Sequence, residues 1–84
     1  MKHATPVALD ALEPLLAELR GIDGVTERKR GVYYRKSQAF LHFHEDPAGF
    51  FADLREADGW TRIEVTTAGQ RRAFVRRAKA ALGG

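Results

Sequence analysis

The chain has 84 residues, of which 44% are hydrophobic and 30% charged, with a net charge of +3 and no cysteine. This composition fits one small globular domain, residues 1–84, and excludes a disordered polar chain, a disulfide scaffold and a thiolate zinc site. No stretch approaches the roughly 18 consecutive apolar residues of a membrane span, and the N-terminus has no secretory signal pattern. We therefore expect a cytoplasmic protein without a membrane partner.

Residues 6–21 predict a first helix, because leucines recur every three or four residues between positions 9 and 19. Two helix starts compete. Thr5-Pro6 is a cap followed by proline at the first helical position, whereas Asp10 has a capping-box partner three residues later in Glu13. Pro14 favours the later start, because proline is tolerated in the first turn of a helix and costs about 3 kcal/mol deeper inside it.

Residues 31–66 change to a period of two, which is typical of strands. Four short runs are rich in aromatic and β-branched residues, and they cover residues 32–36, 39–45, 50–55 and 60–65. The segments between them, Ser37-Gln38, 46–49 and Asp58-Gly59, are too short for anything but antiparallel connections. The pattern therefore predicts a four-stranded antiparallel meander.

A closing helix begins at Thr67, which has a capping-box partner in Gln70. One apolar stripe runs along this helix and consists of Phe74, Val75, Ala78, Ala81 and Leu82. The predicted fold class is therefore α+β, with the order helix, four-stranded antiparallel meander, helix. We expect two layers, with both helices on one face of the sheet.

The turns predict a strand register that gathers the apolar side chains on one face of the sheet. With loops at 37–38, 46–49 and 58–59, this helix-covered face carries Val32, Tyr34, Leu41, Phe43, Ala52, Leu54, Ile63 and Val65. The opposite, open face then carries a row formed by Tyr33, His42, Asp53 and Glu64. Beside that row lie Arg35, Phe40, Arg55, Trp60 and Arg62 on one side and His44 with Phe51 on the other.

Three interpretations of the open face compete. It is a solvated face of an antiparallel sheet, a surface for self-association or a protein partner anchored by aromatic residues, or a site for a metal or small ligand. The ligand or partner surface consists of Tyr33, Phe40, His42, His44, Phe51, Asp53, Arg55, Trp60, Arg62 and Glu64. The partner interpretation uses Phe40, Phe51 and Trp60 as its anchors.

A metal would find its nitrogen and oxygen ligands on this face in His42, His44, Asp53 and Glu64, which are enough for zinc. Two histidines two residues apart on one strand share a face, as such sites require. A flat face gives a metal little enclosure, so we predict no cofactor and no metal. A metal site formed by these four residues is kept as the alternative interpretation. His3 is expected to lie in a disordered terminus.

The charges are unevenly distributed along the chain. Residues 28–36 and 67–84 carry five bases each and no acid, whereas the remainder carries 4 bases against 11 acids. Two basic blocks on an acidic body indicate an anionic partner. A nucleic-acid-binding domain, the alternative function, would use blocks 28–36 and 71–79 through Arg28, Lys29, Arg30, Arg72, Arg76 and Lys79.

No motif in the chain commits it to a reaction. Gly21-Ile22-Asp23-Gly24 lacks the lysine of a phosphate-binding loop, and Ser37 lies in a predicted turn without the context of a catalytic nucleophile. We assign no catalytic residue. The prediction is a small non-enzymatic protein with a binding or interaction role.

Three segments carry a resemblance to a known group: 24–27 (Gly-Val-Thr-Glu), 33–36 (Tyr-Tyr-Arg-Lys) and 39–43 (Ala-Phe-Leu-His-Phe). With the late Trp60, the chain over residues 22–82 resembles the small bacterial proteins of the YjbR/MmcQ-like group. The resemblance implies a frataxin-like α+β fold and, loosely, DNA binding. The chain differs from that group in being shorter and in having the His42-x-His44 pattern.

Overall fold

The computed structural model describes residues 1–57 and 59–83. In chain order, the elements are β1 (Lys2–His3), α1 (Pro6–Ala11), α2 (Glu13–Arg20), β2 (Thr26–Lys29), β3 (Val32–Arg35), β4 (Gln38–Asp46), β5 (Gly49–Glu56), β6 (Gly59–Glu64) and α3 (Ala68–Gly83). The fold is α+β with an antiparallel sheet, as predicted. None of the described helices is long and apolar enough to cross a lipid bilayer.

Within residues 1–57 and 59–83 the sheet has six strands, two more than the predicted meander. Five of them follow the order β2-β3-β4-β5-β6, and β1 pairs with β4 outside that path. Strand β3 pairs with β4 as far as His42, and β1 continues along the same edge of β4 at His44 and Glu45. The opposite edge of β4 is occupied by β5. His3 is therefore part of the sheet, and the prediction of a disordered terminus is wrong.

The predicted first helix is two helices, so both candidate starts are used. Thr5 caps α1 through its side chain, and Pro6 takes the first helical position. Leu12 ends α1 and begins α2, which places Pro14 in the first turn of α2, where proline is tolerated. The predicted capping box of α3 is present. The backbone N–H of Gln70 donates to Thr67 Oγ1 at 3.1 Å, and the backbone N–H of Thr67 donates to Gln70 Oε1 at 2.9 Å.

One hydrophobic core joins the helices to the sheet. The helical side contributes four leucines from the first two helices and the turn between them, and three residues of α3: Leu12, Leu15, Leu16, Leu19, Phe74, Val75 and Ala78. The sheet side contributes Tyr33, Phe40, Leu41, Phe43, Ala52, Leu54 and Val65. Tyr33 is fully buried, and its hydroxyl donates to the Leu16 carbonyl oxygen at 2.9 Å. This bond satisfies the one polar atom of a side chain that otherwise contributes apolar area to the core.

A β-bulge in β4 changes the predicted face of two aromatic residues. Tyr33 pairs with Leu41, but Tyr34 pairs with Ala39, so Phe40 is an extra residue between the two pairs. The bulge places Phe40 in the core at 2% exposure, and the register gives Tyr33 the core position predicted for Tyr34. Tyr33 and Phe40 were both assigned to the open face, and that assignment is wrong.

The register between β5 and β6 also differs from the prediction. Glu56 pairs with Gly59, so Gly59 is part of the strand ladder. The predicted Asp58-Gly59 loop placed it in the turn; Asp58 itself lies outside the described residues. As a result Asp53 pairs with Arg62, whereas the predicted register placed Glu64 in that row. Pairing of β4 with β5 is as predicted, with Phe43 opposite Ala52 and Leu41 opposite Leu54.

Because the bulge places Phe40 in the core, Phe40 should contribute more to the free energy of unfolding than Phe51 does. Phe40→Ala should lower the free energy of unfolding by about 3–5 kcal/mol, because it leaves a cavity in the core. Phe51→Ala, a matched change at a half-buried position on the other face, should cost clearly less. Urea denaturation of both variants measures the difference, and equal losses would contradict the placement of Phe40.

Candidate functional site

Three histidines from two strands meet on the open face. His3 pairs with His44 across β1 and β4, and the two rings are stacked with centroids 4.7 Å apart. His42 lies two residues before His44 on β4, and its Nδ1 is 3.1 Å from His44 Nε2. One nitrogen from each of the three rings lies within 4.8 Å of the other two. These are the only histidines of the chain.

Asp53 lies directly beside the two histidines of β4. It pairs with His42 across β4 and β5, and its Oδ2 is 3.0 Å from His44 Nε2 and 4.0 Å from His42 Nδ1. Both Asp53 and His44 are only 8% exposed, and a carboxylate buried to this extent is unusual unless it is paired. A nitrogen of each ring and a carboxylate oxygen therefore face one point on the sheet.

Arg62 holds this carboxylate in place. Its Nε donates to Asp53 Oδ1 at 2.8 Å, and its Nη2 donates to Asp53 Oδ2 at 2.9 Å, a bidentate arrangement. Burial raises the pKa of Asp53, but the hydrogen bond and charge of Arg62, helped by His44 and His42, outweigh it and hold the pKa below the ordinary 3.8. Asp53 is therefore ionised at neutral pH.

His42 is held as a neutral base. Its burial lowers the pKa below the ordinary 6.5 by more than the nearby Asp53 carboxylate raises it. Trp60 packs against the ring with centroids 4.7 Å apart, and the guanidinium of Arg55 lies 4.4 Å from the centre of the Trp60 ring. The neutral imidazole has a lone pair available for a ligand.

His44 is buried with little to bond to. Among the described residues, its Nε2 faces only His42 and Asp53, and its Nδ1 is buried without a hydrogen-bond partner. Burying a polar nitrogen without a partner costs free energy, so such atoms are rare in folded proteins. If an ion bound at Nε2, the ring proton would lie on Nδ1, and no acceptor for it is present among the described residues.

The spacing of the cluster fits a tetrahedral ion. Two nitrogen ligands at the usual zinc distance of about 2.0–2.1 Å lie about 3.3 Å apart, close to the 3.1 Å between His42 Nδ1 and His44 Nε2. Asp53 Oδ2 lies 3.0 Å from His44 Nε2 and 4.0 Å from His42 Nδ1. His3 supplies a third nitrogen, and Asp53 is in reach as the fourth ligand.

Glu64, the fourth ligand expected from the sequence, points to a different partner. It pairs with Phe51, and its Oε2 accepts a hydrogen bond from Thr66 Oγ1 at 2.9 Å. His3 takes its place in the cluster. The sequence carries no signal for His3, because β1 is only two polar residues long and its pairing with β4 is what brings the ring to the cluster.

The aromatic part of the open face is smaller than expected, because Phe40 lies in the core. Trp60 is 44% exposed and Phe51 is half-buried. Arg55 belongs to this face and donates from Nε to the Ala39 carbonyl oxygen at 2.7 Å. Self-association or a protein partner at this surface stays a prediction.

The two basic blocks differ in their surroundings. Arg30 forms ion pairs with Asp10 and Glu13, and the guanidinium of Arg28 lies 4.5 Å from the centre of the Tyr34 ring. Lys29 is exposed on β2. On α3, by contrast, Arg72, Arg76 and Lys79 are exposed, and no ion pair involves them within the part of the chain that the structure describes.

No protein-family model matches this chain, and neither a curated protein nor a solved structure shows significant similarity to it.

The Asp53–Arg62 pair predicts a stability difference between two carboxylates. Asp53→Asn should lower the free energy of unfolding by about 1–2 kcal/mol, because a bidentate ion pair to a buried carboxylate is lost while Arg62 stays partly hydrated. Glu64→Gln should change it little, because the amide oxygen can still accept from Thr66. Thermal unfolding at pH 7 compares the variants, and the opposite order would contradict the register of β6.

Proposed function

We propose that this protein is a small binding protein whose ligand is a divalent transition-metal ion, zinc above all, held on the open face of the sheet. The observation that carries the proposal is the meeting of His3, His42 and His44, with one nitrogen of each within 4.8 Å of the others. Asp53 adds a carboxylate oxygen 3.0 Å from His44 Nε2. Three imidazoles and a carboxylate are a ligand set that zinc prefers.

The ligand chemistry selects among metals. Imidazole nitrogen suits zinc, copper and nickel, whereas magnesium and calcium prefer sites made of oxygen. A lowered pKa keeps Asp53 ionised, and burial keeps His42 neutral, so neither group needs to lose a proton at pH 7. At His44 the ring proton must move from Nε2, which lies 3.0 Å from the ionised Asp53 carboxylate, to Nδ1 before Nε2 can bind a cation.

The position of the cluster supports reversible binding. It lies on the face of the sheet opposite the hydrophobic core, which consists of apolar side chains of the helices and the sheet. Folding of the domain therefore does not depend on the metal, unlike that of a zinc finger. Zinc should raise the thermal midpoint by mass action only.

A zinc titration of tag-free, chelator-treated protein tests the proposal. Isothermal calorimetry should show one zinc ion per chain. His42→Ala and His44→Ala each remove a direct ligand. Each should therefore reduce the zinc affinity by more than the roughly 10–100-fold that is typical when a residue hydrogen-bonded to a ligand is lost. Cobalt(II) in place of zinc should give the visible absorption of a tetrahedral ion.

Glu18→Gln, which removes an exposed carboxylate on α2, is the control and should bind zinc like the wild type. The affinity should also fall at acid pH, because burial lowers the pKa of His42 below 6.5 and protons compete with the ion for this imidazole only below that value. Wild-type protein that binds no zinc at pH 7.5, or binds it equally well after both histidine changes, would exclude the proposal.

Nucleic-acid binding is a second candidate function, and the exposed cations of α3 favour it. Arg72, Arg76 and Lys79 are spaced by four and three residues, so they lie along one side of the helix. Residues 65–84 contain no acid that would neutralise them.

Salt dependence tests this second function. Replacing Arg72, Arg76 and Lys79 by glutamine should weaken binding to duplex DNA and lower the slope of log K against log salt by about 1 for each phosphate that is no longer neutralised. A second variant replaces Arg28, Lys29 and Arg30, the other block predicted to bind nucleic acid, and changes the net charge equally. Fluorescence anisotropy measures both, and equal losses, or no binding by the wild type at low salt, would contradict a specific role for α3.

A further inference from the structure

We infer that β1 is a metal-controlled clasp: an ion bound at His42 and His44 recruits His3 and thereby fastens the N-terminal strand to the edge of β4. The inference rests on the proposed metal site and names what binding does to the fold. Its starting point is that the cluster combines two ligands from the interior of the sheet with one ligand from a strand of two residues.

Strand β1 has few contacts of its own. Both of its residues are exposed, and the ion pair of Lys2 with Glu45 is 3.8 Å long, with 70% of the lysine side chain in solvent. Such a pair contributes little, and short terminal strands are the first to open. Without the metal, β1 is therefore the least stably held strand of the sheet.

The chain is anchored directly after β1. The Ala4 amide donates to the Phe43 carbonyl oxygen at 3.1 Å, and Thr5 donates to Glu45 Oε2 from its amide at 2.8 Å and from its hydroxyl at 2.7 Å. These bonds leave His3 only two residues from a fixed point. Its imidazole stays near the cluster when β1 opens, so recruiting it costs little entropy.

The register then directs the His3 ring to the cluster. Because Ala4 bonds to Phe43, the next pair, His3 and His44, falls at the position of an antiparallel ladder where side chains approach most closely. The interplanar angle of the two rings is 29°. Docked β1 offers the ion a third nitrogen that open β1 does not, so the ion binds the docked state more tightly and shifts the equilibrium toward it.

Closing the clasp also covers an edge of the sheet. Strand β3 leaves the edge of β4 beyond His42, and β1 supplies the partner for His44 and Glu45. An uncovered edge is a template for pairing with another strand. Metal loading should therefore protect the backbone amides of β1 and of this stretch of β4 together.

Hydrogen exchange read by mass spectrometry tests the clasp in tag-free protein of residues 1–84. Zinc should slow exchange several-fold in peptides covering residues 1–5 and 43–46 and leave peptides from α3 unchanged. His3→Ala should still bind zinc through His42, His44 and Asp53 with a lower affinity, but its residues 43–46 should show no slowing. Lys2→Ala, the neighbouring change on β1, should respond to zinc like the wild type.

The outcomes separate the two claims. Zinc binding by the wild type with no slowing at residues 1–5, or with unchanged affinity in His3→Ala, would overturn the clasp and leave a site made by His42, His44 and Asp53. A wild type that binds no zinc in calorimetry would overturn the metal site and the clasp with it.

Discussion

Strand β4 is hydrogen-bonded along one edge to β5 and along the other to β3 and then β1, and the register of these ladders decides which side chains meet. Pairing with β5 sets Asp53 opposite His42, and pairing with β1 sets His3 opposite His44. In an antiparallel sheet a shift of one residue would send these groups to the other face. The cluster is thus a consequence of backbone pairing, and the core on the other face holds that pairing in place.

The electrostatics of the cluster follow from the same pairing. Arg62 lies next to Asp53 because of the register of β6, and it keeps the carboxylate ionised although the group is nearly buried. His42 and His44 share this carboxylate, and burial of His42 favours its neutral form. The neutral imidazole offers a lone pair to a cation, while the charge of Asp53 is already balanced by Arg62.

The sequence predicts the centre of the sheet well and its margins poorly. Alternating residues and the turn at 46–49 were enough to align β4 with β5, and so to place His42 beside Asp53. The register of β6 differs because the ladder includes Gly59, and the dipeptide preference for an Asp-Gly loop did not decide the turn. In the observed register Asp53 faces Arg62, whereas the predicted register placed Glu64 there. The charge of Asp53 is therefore balanced by a base and not increased by a second acid.

Two other features leave no periodic signal. A bulge inserts Phe40 between paired residues, and nothing in an alternating run indicates where the alternation breaks. Strands β1 and β2 are two and four residues long and consist of polar residues, so hydrophobic periodicity cannot detect them. His3 was missed for this reason, since only the tertiary pairing of β1 brings it to the cluster.

X-ray absorption at the zinc edge tests the central claim most directly, because it reports the ligands around the ion itself. Protein loaded with one equivalent of zinc should show a first shell at about 2.0–2.1 Å, and its outer-shell scattering should fit three imidazoles. The signal of one imidazole should disappear in His3→Ala, while two remain. A spectrum with oxygen ligands alone, or with the same number of imidazoles before and after that change, would contradict the meeting of three histidines on this sheet.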